Sequence, residues 1–347
     1  MIGAEYGRRC AGARSVKLRI ATFNLENLGA KPGHPNEQRA SLEDRCAVLR
    51  PQLERLDADV LCLQEINGWA LSKGATFALP ALDTLLEGTA YAGYARAASE
   101  HEERGGALDV HNLVILSRHP IAGVRQLWHH LVPPPAYRSV TADPPAPNAS
   151  PVRWERPLLC ADIALPGGRT LHLVNLHLRA PLAAFIQGQK AGPFSWKSVA
   201  GWAEGFFLAA VKRAGQALEA RMLVDELFDR DDDALIAVCG DCNAEARETA
   251  TRLIAGDEED TGNGALAARA LHMLERGIAE DLRYTVIHNG RKVMLDHLLV
   301  SQGLMGWFRG AEIHNETLGD ELVAYANFSA TPESYHAPMV ASFEAPG

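Results

Sequence analysis

The chain reads as an α/β fold in which two mixed β-sheets pack together and are covered by helices. Three observations predict it. Short apolar runs alternate with helical patterns through the first half, the second half is rich in strand-like runs, and Asn289-Gly290 between two such runs marks a hairpin. At 347 residues and 47% hydrophobic, the chain can bury a large core. No linker interrupts it, so one domain is expected over 18–345, after a basic, flexible tail at 1–17 that carries Arg8, Arg9, Arg14 and Lys17.

Strands are expected at Leu18–Phe23, Asp59–Gln64, Leu113–Ser117, Leu158–Ala164, Thr170–Asn175, Ala234–Cys239, Arg283–His288, Val293–Val300 and Met339–Phe343, each a short apolar run. Leu42, Cys46, Leu49, Leu53 and Leu56 recur at helical spacing, with Pro51 expected to kink or restart that helix. A second helix is expected from about Phe206 to Phe228, with Phe207, Val211, Ala214, Leu218 and Met222 on one apolar face. Two stretches break the pattern. The proline-rich 132–151 segment reads as an irregular surface loop. The 181–205 insertion carries Phe185, Phe194, Trp196 and Trp202, either anchoring it to the core or offering rings for a base to stack on.

The net charge of −9, from 43 acids against 34 Lys and Arg, argues against bulk attraction to nucleic acid but leaves room for a local basic groove. Six scattered cysteines show no disulfide framework, and the lone Cys239-Gly240-Asp241-Cys242 pair reads as buried thiols rather than a zinc site. No stretch is long and apolar enough to span a bilayer, and no apolar signal segment follows the basic start. A cytoplasmic monomer is the expectation.

The chemistry gathers at strand ends. The run Leu235-Ile236-Ala237-Val238-Cys239 closes on Gly240-Asp241-Cys242-Asn243, which sets a carboxylate and an amide at the C-terminal mouth of a strand. Asp and Asn also simply favour turns, but other strand ends share the character. Asn24 ends the first run. Glu65 ends the second beside Gln64, and alternation sends those two to opposite faces. Asn175 and His177 lie two apart on one side of their strand, with Asn175, like Asn112, a candidate substrate contact. Asp296 interrupts an apolar run, where an unpaired carboxylate is costly, and His336 near the last strand is its natural partner. Asn112 precedes the Leu113–Ser117 strand and faces either the cleft or only the strand edge. Hard oxygen ligands with two histidines and an amide suit Mg²⁺ or Mn²⁺ and the hydrolysis of a phosphate ester.

The order Phe23-Asn24-Leu25, Leu63-Gln64-Glu65, Ile115-Leu116-Ser117-Arg118, Asn175-Leu176-His177, Gly240-Asp241-Cys242-Asn243, Leu295-Asp296-His297 and His336-Ala337-Pro338 resembles the endonuclease/exonuclease/phosphatase (DNase I-like) family over nearly the whole chain. The resemblance implies a four-layer α/β sandwich with its site at one rim of the paired sheets. It implies Glu65 as principal metal ligand with Asn24 beside it, His177 and Asn243 contacting the scissile phosphate, Asp241 orienting or deprotonating water, and Asp296 paired with His336. Whether Asp241 or His336 is the base stays open. Where the family usually writes Ser-Asp-His, this chain has Ser334-Tyr335-His336, which puts a second metal ligand in doubt. The expected function is a Mg²⁺- or Mn²⁺-dependent phosphodiesterase, a nuclease acting on DNA or RNA. The rivals are a phosphatase or diesterase for a small or lipid phosphate, and a binding module impaired through Tyr335.

Overall fold

The computed structural model describes residues 16–29, 40–70, 72, 74–193, 195–322 and 331–345. Twelve strands form two six-stranded mixed sheets. The first sheet contains β1 (Lys17–Leu28), β2 (Val60–Ile66), β3 (Ala95–Ala98), β4 (Asn112–Ser117), β11 (Phe308–Ile313) and β12 (Met339–Glu344), in the order β11-β12-β1-β2-β4-β3. The second contains β5 (Ile121–Leu127), β6 (Leu158–Ala164), β7 (Thr170–His177), β8 (Leu235–Asp241), β9 (His272–Met273) and β10 (Asp296–Val300), in the order β9-β10-β8-β7-β6-β5.

The inner strands are apolar on both faces because both faces are covered. Between the sheets, Leu18, Ile20, Val60, Cys62 and Ile115 meet Leu159, Leu171, Leu173, Leu235 and Leu298. On the outer face of the first sheet, Phe23, Leu61, Leu63 and Val114 pack under helices α1 (Leu42–Leu56) and α2 (Pro80–Leu86). The second sheet's outer face, with Val174, Leu176, Ile236 and Val238, packs under α3 (Val199–Arg230) and α4 (Thr249–Ala255). The result is a helix–sheet–sheet–helix sandwich of four layers.

Several local expectations change. Residues 1–15 of the expected tail lie outside the described residues, as do Cys10 and Phe194, whereas Lys17 already opens β1 opposite Glu344. Helix α1 passes Pro51 unbroken; Ser41 caps its start by accepting from the Asp44 N–H at 3.1 Å. The expected Arg283–His288 and Val293–Val300 strands resolve into a short hairpin, 286–288 with 291–293, followed by β10. Asn289 (φ 51°) and Gly290 (φ 73°) make its turn, both left-handed, as a tight hairpin of this type requires. Helix α3 is longer than expected and differs in orientation. Phe207, Leu218 and Met222 are 38–49% exposed, while Leu223, Val224, Leu227 and Phe228 are buried. The apolar stripe read from the sequence therefore faces outward, and Glu204, Gln216 and Glu219 lie on the inward side.

Gly240 lies within β8, opposite Leu176, rather than in a turn. Its φ is 135°, and a Cβ there would come within 1.9 Å of the Leu176 carbonyl oxygen. Close approach of two strands makes glycine necessary at this position.

Candidate active site

Each sheet has one parallel pair at its centre, β1 with β2 and β7 with β8. Parallel neighbours end together, so Asn24, Glu65, His177 and Asp241 arrive at one rim. Antiparallel neighbours begin where those strands end. β4 starts beside β2, β10 beside β8 and β12 beside β1, which brings His111, Asp296 and His336 to the same rim. The backbone there is unusual. Glu26, Asn27, Glu65, His111 and Asn243 have φ between 47° and 60°, five of the eight non-glycine residues with positive φ among the described residues. Such conformations cost free energy and gather at functional sites. At Glu65 the β2–β4 register slips between Leu63 and Ile66, a bulge that breaks the alternation. Gln64 accordingly stays between the sheets, donating to Asn175 Oδ1 at 2.7 Å, while Glu65 turns to the rim.

Asp241 is the hub. Its Oδ1 accepts from the Asn243 N–H at 2.8 Å, and its Oδ2 accepts from Asn24 and from the Asn243 side chain, each at 3.1 Å. His177 Nε2 lies 3.3 Å from Asp241 Oδ2 and 3.6 Å from Glu65 Oε1. His336 Nδ1 contacts Asp296 Oδ2 at 2.8 Å, and its Nε2 stands 4.0 Å from Asp241. Burial, then the neighbouring charge of Asp296, pushes the Asp241 carboxyl up to about 7. Burial opposes charge on His336, but Asp296 outweighs it and holds the imidazole protonated well above its ordinary range. Burial, reinforced by Arg156 and His111, keeps His177 neutral. Glu65 resists burial through His111, Arg156 and His336 and stays below the usual carboxylate range.

The structure thus brings together Asn24, Glu65, His177, Asp241, Asn243, Asp296 and His336. Two expectations about amides change. Asn24 presents its Nδ2 to Glu65 Oε1 (3.2 Å) and to Asp241, while its oxygen accepts from the Glu26 N–H at 2.8 Å. In this orientation its amide nitrogen clamps the two carboxylates, and its oxygen is turned to the Glu26 backbone. Asn175 and Asn112, expected to touch substrate, are fully buried. Asn175 donates to the carbonyls of Leu63 and Val114, and Asn112 to those of Ile66 and Leu108. Both amides pin backbone beneath the rim, where unsatisfied polar groups would be costly.

Three residues at the rim escaped the sequence reading. His111 Nδ1 lies 3.9 Å from Glu65 Oε2, its ring edge-on to His177. Nothing in its sequence context marked it beyond its place before Asn112. Glu26, two positions after Asn24 where the β1–β2 register slips, accepts from the Tyr335 N–H at 2.8 Å and adds negative charge near His336. Tyr335 itself is buried, its hydroxyl bonded to Thr331, so an acid from β1 stands next to the position where the family writes Asp. Arg156 lies in the segment before β6 and bears on both Glu65 and Asp241.

Two groups have ligand atoms close enough to hold a metal ion, Glu65 with His111 and His177, and Asp241 with Asp296 and His336, each set within 4.8 Å. The chemistry of these donors fits a divalent cation. Burial, then the charge of neighbouring Asp296, raises Asp241, and the buried Oδ1 of Asp296 has no hydrogen-bond partner. Neither group includes a cysteine; Cys239 and Cys242 are buried free thiols. No helix among the described residues is long and apolar enough to cross a membrane.

Comparisons with known proteins agree with this architecture. An endonuclease/exonuclease/phosphatase family protein from Bacteroides thetaiotaomicron is 15% identical with a TM-score of 0.57, covering 96% of this chain and all of its own. Truncated TDP2 from Caenorhabditis elegans is 15% identical with a TM-score of 0.53, over 95% of this chain and 98% of that one. The human Nocturnin catalytic domain is also 15% identical, with a TM-score of 0.52 and 94% of each chain covered. At such identities the likeness is one of fold. No curated protein sequence matches the chain. Residues 21–317, however, match the Endonuclease/Exonuclease/phosphatase family model directly, and the chain therefore belongs to that family of phosphoester hydrolases.

Proposed function

We propose that the chain is a Mg²⁺- or Mn²⁺-dependent phosphodiesterase that cleaves a nucleic acid strand by in-line attack of water. The observation that carries this reading is geometric: Asp241, held by Asn24 and Asn243, stands between Glu65 and the Asp296–His336 pair, and burial there raises its carboxyl to about 7. A group with that pKa is matched to taking a proton from water at neutral pH. His336 is already protonated through Asp296, so it serves as donor to a phosphate oxygen rather than as base. Neutral His177 stands at the same rim and contacts the phosphoryl oxygens as charge develops, and the Asn243 amide joins it by giving up its bond to the Leu178 carbonyl or to Asp241. A cation held by Glu65 would neutralise that charge and lower the pKa of the attacking water.

The test is hydrolysis of bis-p-nitrophenyl phosphate with Mg²⁺ or Mn²⁺. Glu65→Ala and Asp241→Ala should each lower the rate by about 10²-fold or more, with unchanged circular dichroism. Equal rates in wild type and Glu65→Ala overturn the enzyme reading. A panel of plasmid, abasic duplex, single-stranded RNA, sphingomyelin and inositol phosphates tests the nucleic acid assignment, which fails if only the lipid or the inositol phosphates are cleaved.

A further inference from the structure

A cleft of about 900 Å³ opens between the 132–151 loop and the 181–205 insertion, lined among others by Tyr137, Arg153, Arg179, Phe185 and Lys212. Arg179, in its lining, is tied to the rim through a short chain of contacts, and Arg213 lines a separate pocket with Glu248. Arg156 donates from Nη1 to the carbonyl of Leu178, the residue after His177. Gln216 on α3 joins the neighbouring backbones, accepting from the Arg179 N–H at 2.9 Å and donating to the Arg156 carbonyl at 3.0 Å. Arg213, one turn earlier on α3, donates to the Arg179 carbonyl.

We infer that Arg156, Arg179 and Arg213 form a second phosphate-binding position beside the reactive rim, holding a flanking phosphate of the same nucleic acid strand. The inference rests on the phosphodiesterase reading above and extends it to the substrate. Many of the other arginines find carboxylates, as Arg55 finds Glu316, Arg118 Asp59, Arg221 Asp225 and Arg269 Asp229, while Arg50 and Arg283 donate to backbone carbonyls. Among the described residues, none of these three has a carboxylate oxygen within 4.0 Å; their hydrogen-bond acceptors are the carbonyls of Leu178, Leu182 and Arg179. The buried Nε of Arg179 has no hydrogen-bond partner. Burial above all lowers the pKa of Arg156 and of Arg213, and Arg179 adds like charge to each, while Glu65 and Asp241 oppose the shift at Arg156 and Glu248 at Arg213. Guanidinium groups that bear on one another and have no carboxylate in direct contact are suited to an oxyanion, whose oxygens several forks can share. Nearby Glu155 is already paired with Lys212. Tyr137 and Phe185, the latter 67% exposed, provide rings against which a base can stack, and this favours a nucleotide over other phosphates.

Calorimetric titration with thymidine 5′-monophosphate and thymidine 3′,5′-bisphosphate tests the position without turnover. Wild type should bind the bisphosphate about tenfold more tightly, and Arg179→Ala should remove most of that advantage while Arg179→Lys retains part. A second arm compares glycerophosphoinositol with its 4-phosphate. Equal affinity for both nucleotides, an undiminished advantage in Arg179→Ala, or an advantage confined to the inositol pair overturns the inference. If Arg179→Ala fails to fold, the wild-type comparison and Arg213→Ala decide. Hydrolysis of bis-p-nitrophenyl phosphate reads the catalytic assignment separately: no turnover with a retained bisphosphate preference sinks that assignment and leaves the binding position standing.

Discussion

The reactive rim and the cleft beside it are held in place by opposite means. At the rim, the acidic and imidazole groups sit within three residues of a strand terminus, and ladders fix the central one on either side: Asp241 is paired in register with His177 on one flank and Asp296 on the other. In the cleft the walls are loops, and what holds them is a set of buried polar side chains on α3. Glu204 accepts from the N–H groups of Val140 and Thr141, Glu219 from those of His129 and Leu131 and from the Trp154 indole. The difference separates two tasks. Chemistry is placed by the sheets, whereas the surface that meets the rest of a substrate is placed by side chains that can change without disturbing the ladders.

The most severe way to break the rim is at Gly240. A methyl group there would lie 1.9 Å from the Leu176 oxygen and 2.9 Å from its carbonyl carbon, so β7 and β8 must part where they present His177 and Asp241. Gly240→Ala should cost more than about 4 kcal/mol or prevent folding altogether. Urea denaturation measures it, and a loss below about 1 kcal/mol would show that the strands can separate locally.

The corresponding cut in the cleft is Glu219→Ala. It leaves three donors without their acceptor, at 3.1–3.3 Å in the native structure, in a position with no exposure. The expected destabilisation is about 3 kcal/mol. Turnover of bis-p-nitrophenyl phosphate, which needs only the rim, should fall far less than the preference for the nucleotide bisphosphate. Equal losses in both would mean that rim and cleft are one mechanical unit.

The same division explains what could be read in the chain beforehand. The eight inner strands were all visible, because sheets covered on both faces demand continuous apolar runs such as Leu158–Ala164. The four that escaped notice, β3, β5, β9 and β11, are the four sheet edges. β5 alternates half-buried and exposed residues and includes Gly123 and Arg125, so no apolar run announces it. Most rim carboxylates and histidines, though not Glu26 or His111, were legible because a charged residue ending an apolar run needs a reason. Asn112 and Asn175 look the same in sequence, yet only geometry shows their amides bonded to backbone. Helix α3 misled because its exposed face is apolar and its buried face carries Glu204, Gln216 and Glu219, which satisfy loop donors. Arg156, Arg179 and Arg213 are scattered over nearly sixty positions, and no local pattern joins them.

A smaller and reversible effect distinguishes the rim's own foundation. His297, next to Asp296 in β10, is fully buried, with Nδ1 2.6 Å from Glu275 and Nε2 2.8 Å from the carbonyl of Ala244, the residue after Asn243. A carbonyl only accepts, and an ionised carboxylate only accepts, so the arrangement is complete when both ring nitrogens carry hydrogen. Burial opposes that charge, but Glu275 outweighs it and the folded pKa is raised above 6.5. The stabilisation is therefore fully present below the unfolded value near 6.5 and is lost as pH rises through the higher folded value. Melting temperature measured from pH 5.5 to 9 should show the gap between wild type and His297→Gln widest at the acidic end and narrowing towards the alkaline end. Since β10 carries Asp296 and Ala244 follows Asn243, loosening there should lower turnover before the cleft loses its bisphosphate preference. A gap that stays constant across the range would mean that His297 is held neutral and that the rim does not depend on its charge.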